Sequence, residues 1–255
     1  MEFLISRQAD QPDFNRISKM PLLKKITDTL ARNRYRLTVF VLLSAASVFC
    51  VALVAARVKH TNSVRYLSLV WNLFLAWIPF WFAYFAYTLP WKRSLLLYIV
   101  IPICAILWLI FFPNAPYILT DLQHLAKVSN NVPLWYDVIM LIWFSWTGLL
   151  LGIISLYFMH EIFRRAFGRA VGWIFVAVVS GLSSFGVYLG RFLRWNSWDI
   201  LQNPSEFAVY ILGWVISPNQ SLLAFTALYT IFFLFVYITL YAFCHLMQEQ
   251  ANTQP

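Results

Sequence analysis

Asp121 and His124 stand three residues apart in Thr120-Asp121-Leu122-Gln123-His124, so on a helix the carboxylate and the imidazole share one face. Such a pair can work as acid and base, the Asp fixing the His tautomer, or give two ligands to a metal. Two ligands are half a metal site, and Asp137 or Asp199 would have to complete it. The pair can equally bond backbone ends or water on an interfacial helix. A second cluster runs Gly190-Arg191-Phe192-Leu193-Arg194-Trp195-Asn196-Ser197-Trp198-Asp199. Its two arginines at helical spacing share a face, and an amide, a hydroxyl and a carboxylate follow. Guanidinium forks suit a bidentate grip on phosphate or carboxylate. Interfacial arginines also reach lipid headgroups without a specific ligand. Pairing of Arg191 or Arg194 with Asp121, Asp137 or Asp199 is a further reading, because polar groups at membrane depth usually pair with one another.

The elements that would position these groups are apolar. The chain has 255 residues, 61% hydrophobic and only 11% charged, against about 25% charged in soluble domains. Apolar residues form the blocks Leu37–Ala56, Tyr66–Leu89, Ser94–Phe112, Val138–Met159, Ala170–Leu189 and Ser221–Phe243. Each is close to the ~20 residues that cross a hydrocarbon layer. They are apolar on every side, which excludes the alternating strands of a barrel. The expected fold is an all-α, polytopic transmembrane bundle of six helices. Residues 1–36 would be a basic tail, 37–243 the membrane domain and 244–255 a second tail. Leu22, Leu23, Ile26 and Leu30 lie on one helical face, as in a short helix on the membrane surface, although a solvated tail would carry the same residues.

Orientation follows from the basic residues. One set of alternate segments holds thirteen Lys and Arg and the other six, which places both termini in the cytoplasm. Residues 57–65, 113–137 and 190–220 would then face outward, with both polar clusters among them. The net charge is +9, and eight of the nineteen basic residues lie before Leu37, where anionic lipid is a simpler partner than nucleic acid. Cys50, Cys104 and Cys244 are far apart and read as buried thiols without a disulfide frame.

Further features support the same two ends. Asn114, ahead of Ala115-Pro116, suits a helix terminus followed by an extended turn, where its amide can cap backbone groups. Asp137 in Trp135-Tyr136-Asp137 opens the fourth helix, where a negative charge suits the dipole. Asn72 lies near the same outer end. The tryptophans at block ends, Trp71, Trp108 and Trp135 among them, read as an interfacial belt. Gly148-x-x-x-Gly152 and Gly186-x-x-x-Gly190 would let helices approach closely. Phe207–Ile216 is too short to cross and would form a re-entrant or surface helix that lids the bundle. On the inner side His160-Glu161 and Arg164-Arg165 read as an ordinary charged helix end. No phosphate-binding loop, zinc helix or nucleophile-turn motif occurs.

The runs Phe112-Pro-Asn-Ala-Pro-Tyr117 with Thr120-Asp121 and His124, Trp135-Tyr136-Asp137, and Gly190 to Asp199 resemble the bacterial integral-membrane family catalogued as domain of unknown function 1361. The likeness covers about residues 65 to 243 and implies a bacterial multi-pass membrane protein with no assigned activity. No catalytic residue is carried over from it.

The expected site lies at the outer end of the bundle. Asp121 and His124 would be its acid–base or metal pair, and Arg191 and Arg194 its anion clamp. Asn114, Tyr117, Asp137, Asn196 and Asp199 would position an anionic envelope or lipid headgroup. A non-catalytic assembly subunit is the alternative. A small-solute transporter is a second, disfavoured because the helix middles are nearly all apolar.

Overall fold

A computed structural model describes residues 21–89, 95–127, 132–195, 197–216 and 219–253, and the regular structure among them is entirely helical. The helices are α1 (Pro21–Thr61), α2 (Leu67–Thr88), α3 (Leu95–Phe111), the single turn α4 (Asn114–Tyr117), a 3-10 helix (Ile118–Lys127), α5 (Leu134–Phe167), α6 (Arg169–Phe192), α7 (Ser197–Gln202), α8 (Pro204–Ile216) and α9 (Gln220–Thr253). The chain divides into two compact units, Met1–Ala45 and Ala46–Pro255. In the first, the side chains of Arg34, Tyr35 and Arg36 at the start of the apolar part of α1 are exposed.

Six segments are long and apolar enough to cross a membrane: Arg34–Thr61, Leu67–Thr88, Ile99–Leu125, Leu134–Phe167, Arg169–Phe192 and Gln220–Met247. They coincide with the six apolar blocks, and the architecture is an all-α helical bundle. Helix α5 is its centre: α2, the 3-10 helix and α6 pack along it, while α9 packs on α6 and α3 on α2. At 1.5 Å per residue its 34 residues extend about 51 Å. Asp137 in its first turn and Arg164 and Arg165 in its last therefore mark opposite ends of the bundle, each charge complementing the helix dipole. Gly168 joins α5 to α6 with φ 90°, the left-handed backbone that glycine takes at least cost.

Several elements add to or differ from the sequence reading. Residues 21–30, read as a short surface helix, fall within the helix Pro21–Thr61. On α8 the side chains of Val209 and Leu212 are exposed. Trp108 leaves the interfacial belt: it is buried and donates through Nε1 to Ser155 Oγ at 3.3 Å. Cys50 and Cys104 are buried as expected, whereas Cys244 is exposed.

The largest difference concerns Asn114-Ala115-Pro116, expected as a helix terminus with an extended turn ahead of the outer helix that carries Asp121 and His124. The backbone stays right-handed helical there, with Pro113 at φ −58°, ψ −24° and Ile118 at φ −58°, ψ −29°. Pro113 and Pro116 lack the N–H that an α-helix needs, so the chain tightens instead of unwinding. Ala115 N donates to Phe112 O at 3.1 Å, three residues back. The ten-residue 3-10 helix that follows is long for its kind, since runs beyond three or four residues are uncommon. It continues the third span, which the hydropathy extends to Leu125.

Backbone inside a bundle must find partners within the protein. Asn114 Nδ2 donates to Phe111 O at 2.9 Å, the capping role its type suggests, and to Ser197 Oγ at 2.9 Å. Ser197 Oγ in turn donates to Ile110 O at 3.0 Å. Tyr229 of α9 donates its hydroxyl to Pro116 O at 2.6 Å.

The glycine pairs turn out to seat this segment rather than a neighbouring helix. A Cβ on Gly148 would lie 2.8 Å from Ile118 Cδ1 and 2.9 Å from Ala115 O, and one on Gly152 3.3 Å from Ala115 Cβ. From α6, a Cβ on Gly186 would lie 2.7 Å from Pro113 Cγ, and one on Gly190 3.2 Å from the Tyr117 ring. The turn is thus wedged between two glycine-faced helices. That wedge fixes the depth and direction of the 3-10 helix above it.

Candidate functional site

In a 3-10 helix residues i and i+3 are eclipsed, so Ile118, Asp121 and His124 stand in one line. Ile118 and Asp121 are buried and His124 is part-exposed. His124 Nε2 lies 3.5 Å from Asp121 Oδ1, and the side chains are 37% and 2% exposed. The shared face expected from the spacing is therefore present.

Arg191, one residue before the end of α6, closes this line from the other side. Its Nη2 donates to Asp121 Oδ1. Nε and Nη2 also reach Thr120 Oγ1 at 2.8 and 2.6 Å. The Gln123 amide, turned with its oxygen toward the guanidinium, accepts from Nη1 at 2.9 Å. The guanidinium carbon sits 4.3 Å from the centre of the Tyr117 ring, within cation–π range. The second carboxylate oxygen of Asp121 accepts from Asn72 Nδ2 of α2 at 3.0 Å. The Asp121 charge is thus compensated and hydrogen-bonded, the condition on which a buried carboxylate persists.

Asp137 belongs to a second ion pair. It is fully buried, and Arg57 of α1 grips it with Nε to Oδ1 at 2.7 Å and Nη2 to Oδ2 at 3.0 Å. Tyr66 joins the two pairs. Its hydroxyl donates to Asp137 Oδ2 at 3.4 Å, the Arg57 guanidinium lies 4.3 Å from its ring centre, and its ring stands nearly perpendicular to the His124 ring at 6.4 Å between centres. Burial, ahead of the neighbouring Asp137 charge, pushes the Tyr66 phenol above its ordinary range, so it stays a donor.

The structure therefore brings Asp121, His124, Arg191 and Tyr117 into one cluster, with Asp137 in a neighbouring pair and Asn114 at the base of the wedge. Arg194 stands apart. Helix α6 ends at Phe192, so Arg191 and Arg194 do not share a helical face. Leu193 N and Trp195 N both return to Leu189 O, at 3.1 and 3.2 Å, which closes the helix with a left-handed residue between them. That residue is Arg194, at φ 59°, in a position usually given to glycine. Its side chain is exposed and makes no ion pair among the described residues. Asn196 and the side chain of Asp199 lie outside the described residues. Among the described residues no three His, Cys, Asp or Glu side chains gather to hold a metal ion.

Sequence reasoning missed Arg57, Tyr66 and Gln123 as members of the cluster. Arg57 gives the one usable signal: a basic residue directly after an apolar block, on the same side as the acid that opens another helix.

Residues 71–239 match a family described as "Protein of unknown function (DUF1361)". No curated protein and no solved structure matches the chain significantly.

Proposed function

The chain belongs to the DUF1361 family, whose description names no activity, and from its site we propose a multi-pass protein of the bacterial cytoplasmic membrane that binds an anionic lipid or envelope headgroup at its outer end. The observation that carries this reading is how charge is distributed there. Asp121 and Asp137 are buried and each is compensated by an arginine, while Lys59, Arg65 and Arg194 are exposed. Glu206 is the exposed acid among the described residues of this end. The accessible face is left cationic, and a cationic face between low-dielectric walls concentrates anions.

In this reading Arg194 makes the principal contact. A non-glycine residue held left-handed costs about 1–2 kcal/mol, and such strain persists where the surroundings impose it, often at functional positions. His124 supplies a second, part-exposed donor, oriented by Asp121. Arg191 serves as the frame: its guanidinium is already engaged by Thr120, Asp121 and Gln123, so it holds the 3-10 helix against α6. Asn72 and Tyr66 complete that frame.

A second reading, a non-catalytic assembly subunit, draws on the same saturation of Arg191. The two separate on one measurement. Native mass spectrometry of the purified protein is expected to show a retained anionic lipid. Retention should fall roughly tenfold in the Arg194→Gln/His124→Gln double variant, the scale of lost charge-assisted hydrogen bonds, at unchanged melting temperature. Equal retention in wild type and variant would remove headgroup binding and leave assembly.

A further inference from the structure

The opposite end of α5 carries a built cationic site. Glu161 is buried, its side chain 6% exposed, and it sits beneath two consecutive arginines whose side chains are each 43% exposed. Arg164 binds it bidentately, Nε to Oε1 and Nη2 to Oε2, both at 2.8 Å. Arg165 Nε lies 3.7 Å from Oε2. Arg165 is also fixed from α2: Nη2 donates to the Tyr87 hydroxyl at 3.1 Å, and the guanidinium lies 4.9 Å from the Tyr87 ring centre. One carboxylate thus orients two guanidinium groups and neutralises one charge. Arg169, which opens α6 directly after Gly168, is exposed beside them in the chain.

A plain helix end would complement its dipole with mobile basic side chains in water. Here the forks are held in place from beneath by a buried acid and a phenol, and their remaining N–H groups are free to point outward. We infer that Arg164 and Arg165, with the charge of Arg169 close by in the chain, form a preorganised clamp for the phosphate of an anionic phospholipid at the inner membrane surface. Guanidinium forks match phosphate oxygens bidentately. Basic pockets between helices on the cytoplasmic side are where such headgroups bind. The basic residues of the sequence place this end inside. Lys92 and Arg93, assigned to the same side by sequence, lie outside the described residues. Glu161 and Tyr87 are positioning residues: they would not touch the lipid but hold the groups that do.

Glu161→Gln separates this clamp from a merely positive surface, because it raises the net charge while releasing the forks. The protein is reconstituted in bilayer discs containing phosphatidylglycerol in phosphatidylcholine, and the phosphatidylglycerol molecules retained per chain are counted by native mass spectrometry. The clamp requires about tenfold weaker retention at this end for Glu161→Gln and for Arg165→Lys, which keeps the charge but loses the fork. The effect should add to that of Arg194→Gln at the other end. Glycerol phosphate in solution is the second arm: competition by it means the headgroup alone is recognised, and lack of competition means the bilayer lipid is required. Stronger or unchanged retention in Glu161→Gln, or unchanged retention in Arg165→Lys, overturns the proposal. Arg165→Lys keeps the test valid if Glu161→Gln fails to fold, since Arg165 is half-exposed.

Discussion

Asp137→Ala is expected to cost about 3–5 kcal/mol of unfolding free energy, the scale seen when one partner of a buried ion pair is removed. The substitution leaves Arg57, 3% exposed, without its bidentate carboxylate and with its guanidinium against the Tyr66 ring. Arg57→Ala should cost a similar amount by stranding a carboxylate with no exposure. The double variant Arg57→Met/Asp137→Leu should be less damaging than either single, because two apolar side chains replace two compensated charges. Unfolding in mixed micelles, followed by loss of helical circular dichroism, measures all three. A Met/Leu double variant more destabilised than either single would show that Arg57 and Asp137 do not act as a pair.

Gly148→Ala is the second large effect, about 3 kcal/mol at the upper end of ordinary overpacking. The new methyl would meet the Ala115 carbonyl oxygen at 2.9 Å, and backbone cannot swing aside as a side-chain tip can. The wedge would have to move, and Asp121 and His124 with it. Gly181→Ala is the internal control: nothing lies within 4 Å of its Cβ position, and alanine is the better helix former by about 1 kcal/mol. Near-native stability in Gly181→Ala beside a clear loss in Gly148→Ala supports the wedge. Equal melting temperatures for the two variants would contradict it.

The six long apolar helices were legible because the length and apolar composition that a hydrocarbon layer would demand survive any rearrangement of partners. The Asp121–His124 pairing was legible for a similar reason, since i and i+3 meet in either helix type. Ion-pair partners were legible only as a set of alternatives. Asp137 is paired with Arg57, 80 residues away, and which arginine reaches which acid depends on the depth and rotation of each helix. The glycine pairs carried the right physical meaning, close approach, but the approaching object was a proline turn that no periodicity announces. The end of α6 was misjudged because a left-handed terminus normally declares itself by glycine, and here arginine occupies it. Glu161 looked like an ordinary charged helix end because only burial distinguishes a carboxylate that orients arginines from one that is solvated.

The tightened third span also makes the register of residues 118–127 count in threes. With three residues per turn, one inserted or deleted residue upstream of Asp121 rotates everything beyond it by about 120°. Such a change would swing the carboxylate off Arg191 and Asn72 and carry His124 away with it, although no side chain in the cluster had been altered. Three inserted residues would restore the azimuth and merely lift the line by about 6 Å. Length variation in this stretch should therefore be far less tolerable in ones and twos than in triplets, a pattern that an α-helix with 3.6 residues per turn would not produce.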